Sequence, residues 1–149
     1  MDKRQDQNIE IRKTIVIDAT PEVIFKAITN PEELTQWFPD EVVFEPHIGG
    51  KVTFDFSGKK SGKEGGCQIH GTIIEFISNK KISYNWEHTN SSSGNSKTIV
   101  TWELERIKDD GTRVNLRHTG STTAEMAKEH DEGWIYFLPE LKKYCERRK

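Results

Sequence analysis

The sequence predicts an α+β domain in which one antiparallel sheet is covered by a long C-terminal helix. Three observations carry this. Residues Ile9 to Asp18 place Ile9, Ile11, Ile15 and Ile17 at even spacing, the period of a half-buried strand. Between Glu41 and Gly120 six further strand-like segments follow, separated by turn signals. From about Thr123 to Arg148 the apolar period changes to three and four, as in an amphipathic helix. Such a helix must bury its stripe, and the sheet is the only partner large enough.

Lys13 interrupts the apolar series of the first strand. Thr20-Pro21 then reads as an N-cap followed by proline at the first helical position, with Ile24, Ala27 and Ile28 as a short stripe. Asn30-Pro31-Glu32-Glu33 repeats the device, and Glu33 stands at capping-box spacing from Asn30. This second short helix ends near Trp37-Phe38-Pro39. Val42 to Phe44 is a brief strand, and Gly49-Gly50 turns the chain into Lys51 to Phe56, where Val52, Phe54 and Phe56 alternate with polar residues.

Ser57 to Gly66 reads as a polar hairpin tip. Gln68 to Ile77 and Lys81 to Trp86 are strands joined at Ser78-Asn79-Lys80, and Asn90 to Ser96 is a second polar tip before Thr98 to Lys108. Asp109-Asp110-Gly111 is a hairpin turn, since Asp and Gly tolerate positive φ, and Arg113 to Thr119 completes a meander. Thr122 and Glu125 again stand at capping-box spacing. The stripe beyond them is Met126, His130, Gly133/Trp134, Phe137/Leu138, Leu141 and Tyr144/Cys145. Pro139 removes one backbone hydrogen bond there and is expected to kink the helix.

The 149 residues fit a polar tail over 1–8 and a single domain over 9–149. Apolar residues make up only 33%, and the mean hydropathy is −0.76. The core must therefore be concentrated in large side chains, chiefly the 4 Trp, 7 Phe and 3 Tyr. No apolar run approaches the roughly 18 residues of a membrane span, and the N-terminus lacks the apolar stretch of a secretory signal. A cytoplasmic location with Cys67 and Cys145 as reduced thiols is expected, and the Asn90-Ser91-Ser92 sequon is read as accidental. With 22 Lys+Arg against 24 Asp+Glu, the net charge of −2 argues against nucleic acid as a partner. The cations Lys142, Lys143, Arg147, Arg148 and Lys149 suit a helix C-terminus.

Most chemical motifs fail on spacing. Cys67-x-x-His70 is one pair, whereas a structural zinc site needs four ligands, so no metal is expected. Gly58 to Glu64 resembles a phosphate loop but has three residues between glycines and Glu64 where Ser or Thr should stand, so no cofactor is expected either. No G-x-S-x-G elbow or Cys–His pairing is present. Two histidines are more informative. His118 shares a strand face with Val114 and Leu116, and His130 shares the helical stripe. Both approach the space between sheet and helix, as acid–base or ligand-orienting candidates or as hydrogen-bonded core residues.

Seven aromatics, Phe54, Phe56, Tyr84, Trp86, Trp102, Trp134 and Phe137, fall on positions that face the same space. With His118 and His130 they form the candidate ligand-binding set, and the same rings could equally fill a solid core. Gly133 sits mid-helix, where glycine costs up to about 1 kcal/mol and needs a reason. Open space beside it and close approach to the sheet are the two candidates.

As an ordered set, these fragments resemble the helix-grip, START-like superfamily called SRPBCC, and within it the activator of Hsp90 ATPase homologue family in its C-terminal-domain form. The matching pieces are Ala19-Thr-Pro-Glu-Val-Ile-Phe25, Asn30-Pro-Glu-Glu-Leu34 with Trp37, and Gly49-Gly-Lys-Val-Thr-Phe54. Further on come Gly71-Thr-Ile73, Ile82-Ser-Tyr-Asn-Trp86, Gly111 to Gly120, and Gly133-Trp134 with Leu138 and Leu141. The resemblance implies a curved sheet of six to seven strands gripping the last helix, with a cavity between them. It leaves the chemistry open, because the superfamily hosts binding proteins and enzymes alike.

The expected function is binding of an apolar or aromatic small molecule, lipid- or polyketide-like, by a monomer or homodimer without a cofactor. The alternatives are a cyclase- or dehydratase-type enzyme using His118 or His130, and a chaperone-associated module. No counterpart of the separate N-terminal domain that eukaryotic co-chaperones of the family use on the chaperone is expected here, so the module reading rests on resemblance alone.

Overall fold

Strand β1 (Ile9–Ile17) alternates as its isoleucines require, with Ile11 and Ile17 buried on the inner face. Lys13 lies on that face too, and its Nζ reaches Asp131 Oδ1 on the long helix at 2.7 Å. The interruption in the apolar series is thus a tether between layers. The computed structural model describes residues 9–56, 67–88, 97–121 and 123–148. The expected tail over 1–8 and the polar tips at 57–66 and 90–96 lie outside the described residues, as do Thr122 and the side chain of Cys67.

Helices α1 (Pro21–Thr29) and α2 (Pro31–Trp37) begin where the caps predict. Thr20 Oγ1 accepts from the Val23 N–H at 3.3 Å, and Asn30 Oδ1 accepts from the N–H groups of Glu32 and Glu33 at 2.9 and 3.2 Å. The capping box does not close, because Glu33 is used elsewhere. Its carboxylate is buried, accepts from the Tyr144 hydroxyl at 3.0 Å and faces Lys26 Nζ at 3.5 Å. The Asn30 N–H donates to Lys26 O instead.

Six strands follow: β2 (Glu41–Phe44), β3 (Lys51–Phe56), β4 (Cys67–Ile77), β5 (Lys81–His88), β6 (Lys97–Arg106) and β7 (Thr112–Ser121). They form one antiparallel sheet in the order β1-β7-β6-β5-β4-β3-β2, so the expected meander holds and β1 closes it against β7. In the β6–β7 turn the left-handed residue is Asp109 (φ 55°) rather than Gly111, whose N–H donates to Lys108 O at 3.1 Å. Gly71 is required by contact, since a Cβ there would stand 1.9 Å from Asn85 O on the neighbouring strand. Gly71→Ala is therefore expected to destabilise the fold by about 1–3 kcal/mol, read as a lower urea midpoint with unchanged slope.

Helix α3 (Ala124–Arg148) packs on β1 and β7 and touches α1 and α2. Its cap is Thr123, one residue later than expected, with Oγ1 accepting from the Met126 N–H at 3.1 Å. The buried stripe is Ala127, His130, Trp134, Leu138, Leu141, Tyr144 and Cys145, with Ala127 taking the place expected for Met126. The helix runs unbroken through Pro139, which lies on the exposed side. The carbonyl that proline deprives of a partner belongs to Ile135, on the same exposed side of the helix. Lys142 Nζ donates to Val16 O at 3.0 Å, and Glu146 accepts from the Asp18 N–H at 2.9 Å, seating the last turns on the end of β1. Among the described residues no helix is long and apolar enough to cross a membrane.

This seat is sensitive to alkali. Burial, then the bond to Glu33, raises Tyr144 from its ordinary 10 to about 12, and burial with the nearby Glu33 charge raises Cys145 from 9 to about 12. The folded state thus holds both protons where the unfolded chain releases them. Their stabilising contribution is complete below about pH 9 and is lost as pH rises toward 12. The melting temperature is expected to fall across that range, and the fall should be shallower in Cys145→Ala; equal slopes would refute the assignment.

Candidate functional site

Between the sheet and α3 lies a half-open cavity of about 190 Å³ lined by Phe38, Phe56, Ile69, Trp86, Glu129, His130, Gly133, Trp134 and Phe137. Its walls follow from periodicity. Phe56 and Ile69 are inward positions at the ends of β3 and β4, and Trp86 holds the corresponding place on β5. His130, Gly133, Trp134 and Phe137 recur at three and four along α3. Of the two reasons considered for Gly133, open space is the one observed: a Cβ there would meet nothing within 4 Å.

The expected site residues divide by depth. Phe56, Trp86, His130, Trp134 and Phe137 line the cavity. Phe54, Tyr84, Trp102 and His118 are no more than 1% exposed and form the packed layer behind it. The inward rings are thus packed solid under the middle of the sheet, and a half-open space lies beside residues 129–137 of α3. Trp102 Nε1 donates to the Tyr84 hydroxyl at 3.0 Å within the solid part, where burial raises the Tyr84 hydroxyl above its ordinary value. Phe38, at the end of α2, was not among the expected site residues. Its ring stacks on Trp37 and Trp134 and meets Phe54, Phe56 and Phe137 edge-on at centroid distances of 4.8–5.6 Å.

His118 is held in a directed hydrogen-bond chain. Trp134 Nε1–H donates to His118 Nδ1 at 3.0 Å, so Nδ1 must accept and the proton is assigned to Nε2. Nε2 then donates to Thr98 Oγ1 at 2.7 Å, and the Thr98 hydroxyl donates to Trp86 O at 2.9 Å. The chain links α3 through β7 and β6 to β5, and each member is buried and paired, as a stable internal polar network requires. Both ring nitrogens of His118 are thus committed to structure. His130 stacks on it with centroids 4.0 Å apart and planes 16° apart, and is the imidazole that borders the cavity.

The indole groups show one exception. Trp37 Nε1 donates to Ala27 O at 2.9 Å, and Trp102 and Trp134 are paired as described. Trp86 Nε1 is buried without an acceptor among the described residues.

Of the metal pair considered from sequence, His70 Nδ1 lies 3.3 Å from Thr53 Oγ1, while the Cys67 side chain is outside the described residues. Cys145 is a buried free thiol on the sheet side of α3, away from the cavity lining.

A curved seven-stranded antiparallel sheet around a long C-terminal helix, with two short helices after the first strand, defines a helix-grip protein of the SRPBCC type. The family model described as Activator of Hsp90 ATPase homolog 1-like protein matches residues 18–146, and the chain belongs to that family. A comparison with curated proteins finds no match. Among solved structures, the chain is similar to a protein from Mesorhizobium loti at 19% identity and a TM-score of 0.81, covering 95% of this chain and 99% of that one. It is also similar to Aha1 from Colwellia psychrerythraea, solved as a dimer, at 28% identity and a TM-score of 0.72, covering 93% and 96%. An HSP90 activator from Plasmodium falciparum matches at 23% identity and a TM-score of 0.73, covering 90% and 94%.

Proposed function

We propose that the protein binds a neutral aromatic small molecule in the cavity between sheet and α3. The observation that supports this best is an apolar, ring-lined space of about 190 Å³ beside a helical glycine whose missing side chain leaves it open. Apolar cavities of about 150 Å³ accept benzene, whereas drug-sized ligands occupy roughly 300–1,000 Å³. The volume therefore favours a one- or two-ring ligand over an extended lipid or polyketide chain.

Trp86 and Trp134 are part of the wall, so binding should change tryptophan fluorescence. Titration with indane or naphthalene is expected to give a saturable change at one equivalent and a rise in melting temperature. A purely linear response to both probes overturns the reading.

A second reading, action on an Hsp90-type chaperone, is favoured by the family and by the 28% identity to the Colwellia Aha1. Stimulation of such a chaperone's ATPase by the purified protein would support it. A cyclase- or dehydratase-type reaction would draw its acid–base group from His130, because His118 is committed to Trp134 and Thr98.

A further inference from the structure

The orphaned indole of Trp86 carries the reading one step further, and the step rests on the cavity being a ligand site. We infer that Trp86 Nε1–H is the cavity's hydrogen-bond donor, and that the ligand is a neutral one- or two-ring aromatic bearing an acceptor such as a ketone, aldehyde or ether oxygen.

Trp86 is 7% exposed, and among the tryptophans it is the one whose Nε1 has no acceptor. A buried donor left unpaired is costly, so native structures nearly always supply a partner. The ring cannot readily turn to find one. Its backbone carbonyl is held by the Thr98 hydroxyl, and its ring packs against Phe54, Trp134 and His118 at 5.5–5.6 Å. An indole N–H only donates, so its missing partner is an acceptor. Trp86 borders the cavity, and its Nε1 has essentially no accessible surface, so a cavity occupant supplies the acceptor only once a wall ring gives way. Phe56, half-buried and with its ring centroid 6.4 Å from that of Trp86, is the wall ring whose movement would admit an oxygen to Nε1.

Among the described residues the lining includes no Lys or Arg and does include Glu129, so His130 is the one group that could offset an anion and a neutral ligand suits the cavity better.

The test compares 1-indanone with indane, which share a skeleton and differ in the carbonyl, on the wild-type protein and on Trp86→Phe. Replacing Trp86 is expected to weaken 1-indanone on the order of five- to tenfold more than it weakens indane, the difference isolating the N–H from the altered wall. In the ¹H–¹⁵N spectrum of the wild-type protein, 1-indanone should move the Trp86 indole resonance downfield and leave that of Trp37 in place. This readout stands even where the variant fails to fold. Equal weakening of both ligands, or an unmoved Trp86 resonance at saturation, overturns the inference and leaves the cavity reading intact. If neither ligand binds the wild-type protein, the cavity reading falls and this one with it.

Discussion

Gly133→Leu is expected to abolish binding of small aromatics, with at least a tenfold loss of affinity, while the protein folds as well as before or better. The argument starts from the helix. Glycine in a helix interior costs about 0.8–1.0 kcal/mol relative to alanine, and leucine restores nearly all of that. Normally such a gain is offset by a clash, but at Gly133 a Cβ meets no atom within 4 Å. The new side chain therefore enters the cavity, whose volume of about 190 Å³ it would largely consume. A rise of roughly 2–4 °C in melting temperature, together with a lost fluorescence titration, is the expected pair of results. A leucine variant that is destabilised would mean that Gly133 is present for close packing, and one that still binds would place the ligand elsewhere.

Trp134→Ala is expected to cost about 3–5 kcal/mol of unfolding free energy, the usual range for deleting a large buried aromatic. Against a total of about 5–15 kcal/mol this brings the domain near its limit. Trp134 is 2% exposed, stacks with Phe38, packs on Trp86 and Trp102, and supplies the N–H that fixes His118. Its removal widens the cavity, loosens α3 from the sheet and leaves His118 Nδ1 without a donor. Trp134→Phe separates these effects, since it keeps a ring and removes the hydrogen bond, and should cost about 1–3 kcal/mol. Urea unfolding reads both. A loss under 1 kcal/mol for the alanine variant would show that the hydrogen-bond chain does not seat the helix.

Much of this architecture was legible because its signals are local and periodic. The alternating isoleucines of β1, the two proline-led caps and the change of period near Thr123 each report a backbone conformation, and backbone conformation fixes which face a side chain takes. Depth is different. Phe54 and Phe56 share a face of β3, yet one is packed and the other borders the cavity, because that depends on what α2 and α3 place opposite them.

Other features depended on contacts far apart in sequence. Phe38 ends a helix, where neither period assigns a face, so its place in the cavity wall has no sequence signal. Glu33 looked like a capping residue until Tyr144, 111 positions away, took its carboxylate. Lys13 likewise reads as a flaw in β1 and is explained only by Asp131 across the layer. The unpaired N–H of Trp86 has no sequence signal at all, since an absent partner is a property of the packed molecule.

The central claim is that the sheet and α3 leave a space built for an aromatic guest. The most direct measurement is a crystal structure of the protein with 1-bromonaphthalene, using the bromine's anomalous scattering to locate it. The account predicts one strong bromine peak inside the cavity, bordered by Phe56, Trp86 and Phe137. Bromine peaks confined to the outer surface, with the cavity unchanged at saturating probe, would contradict it.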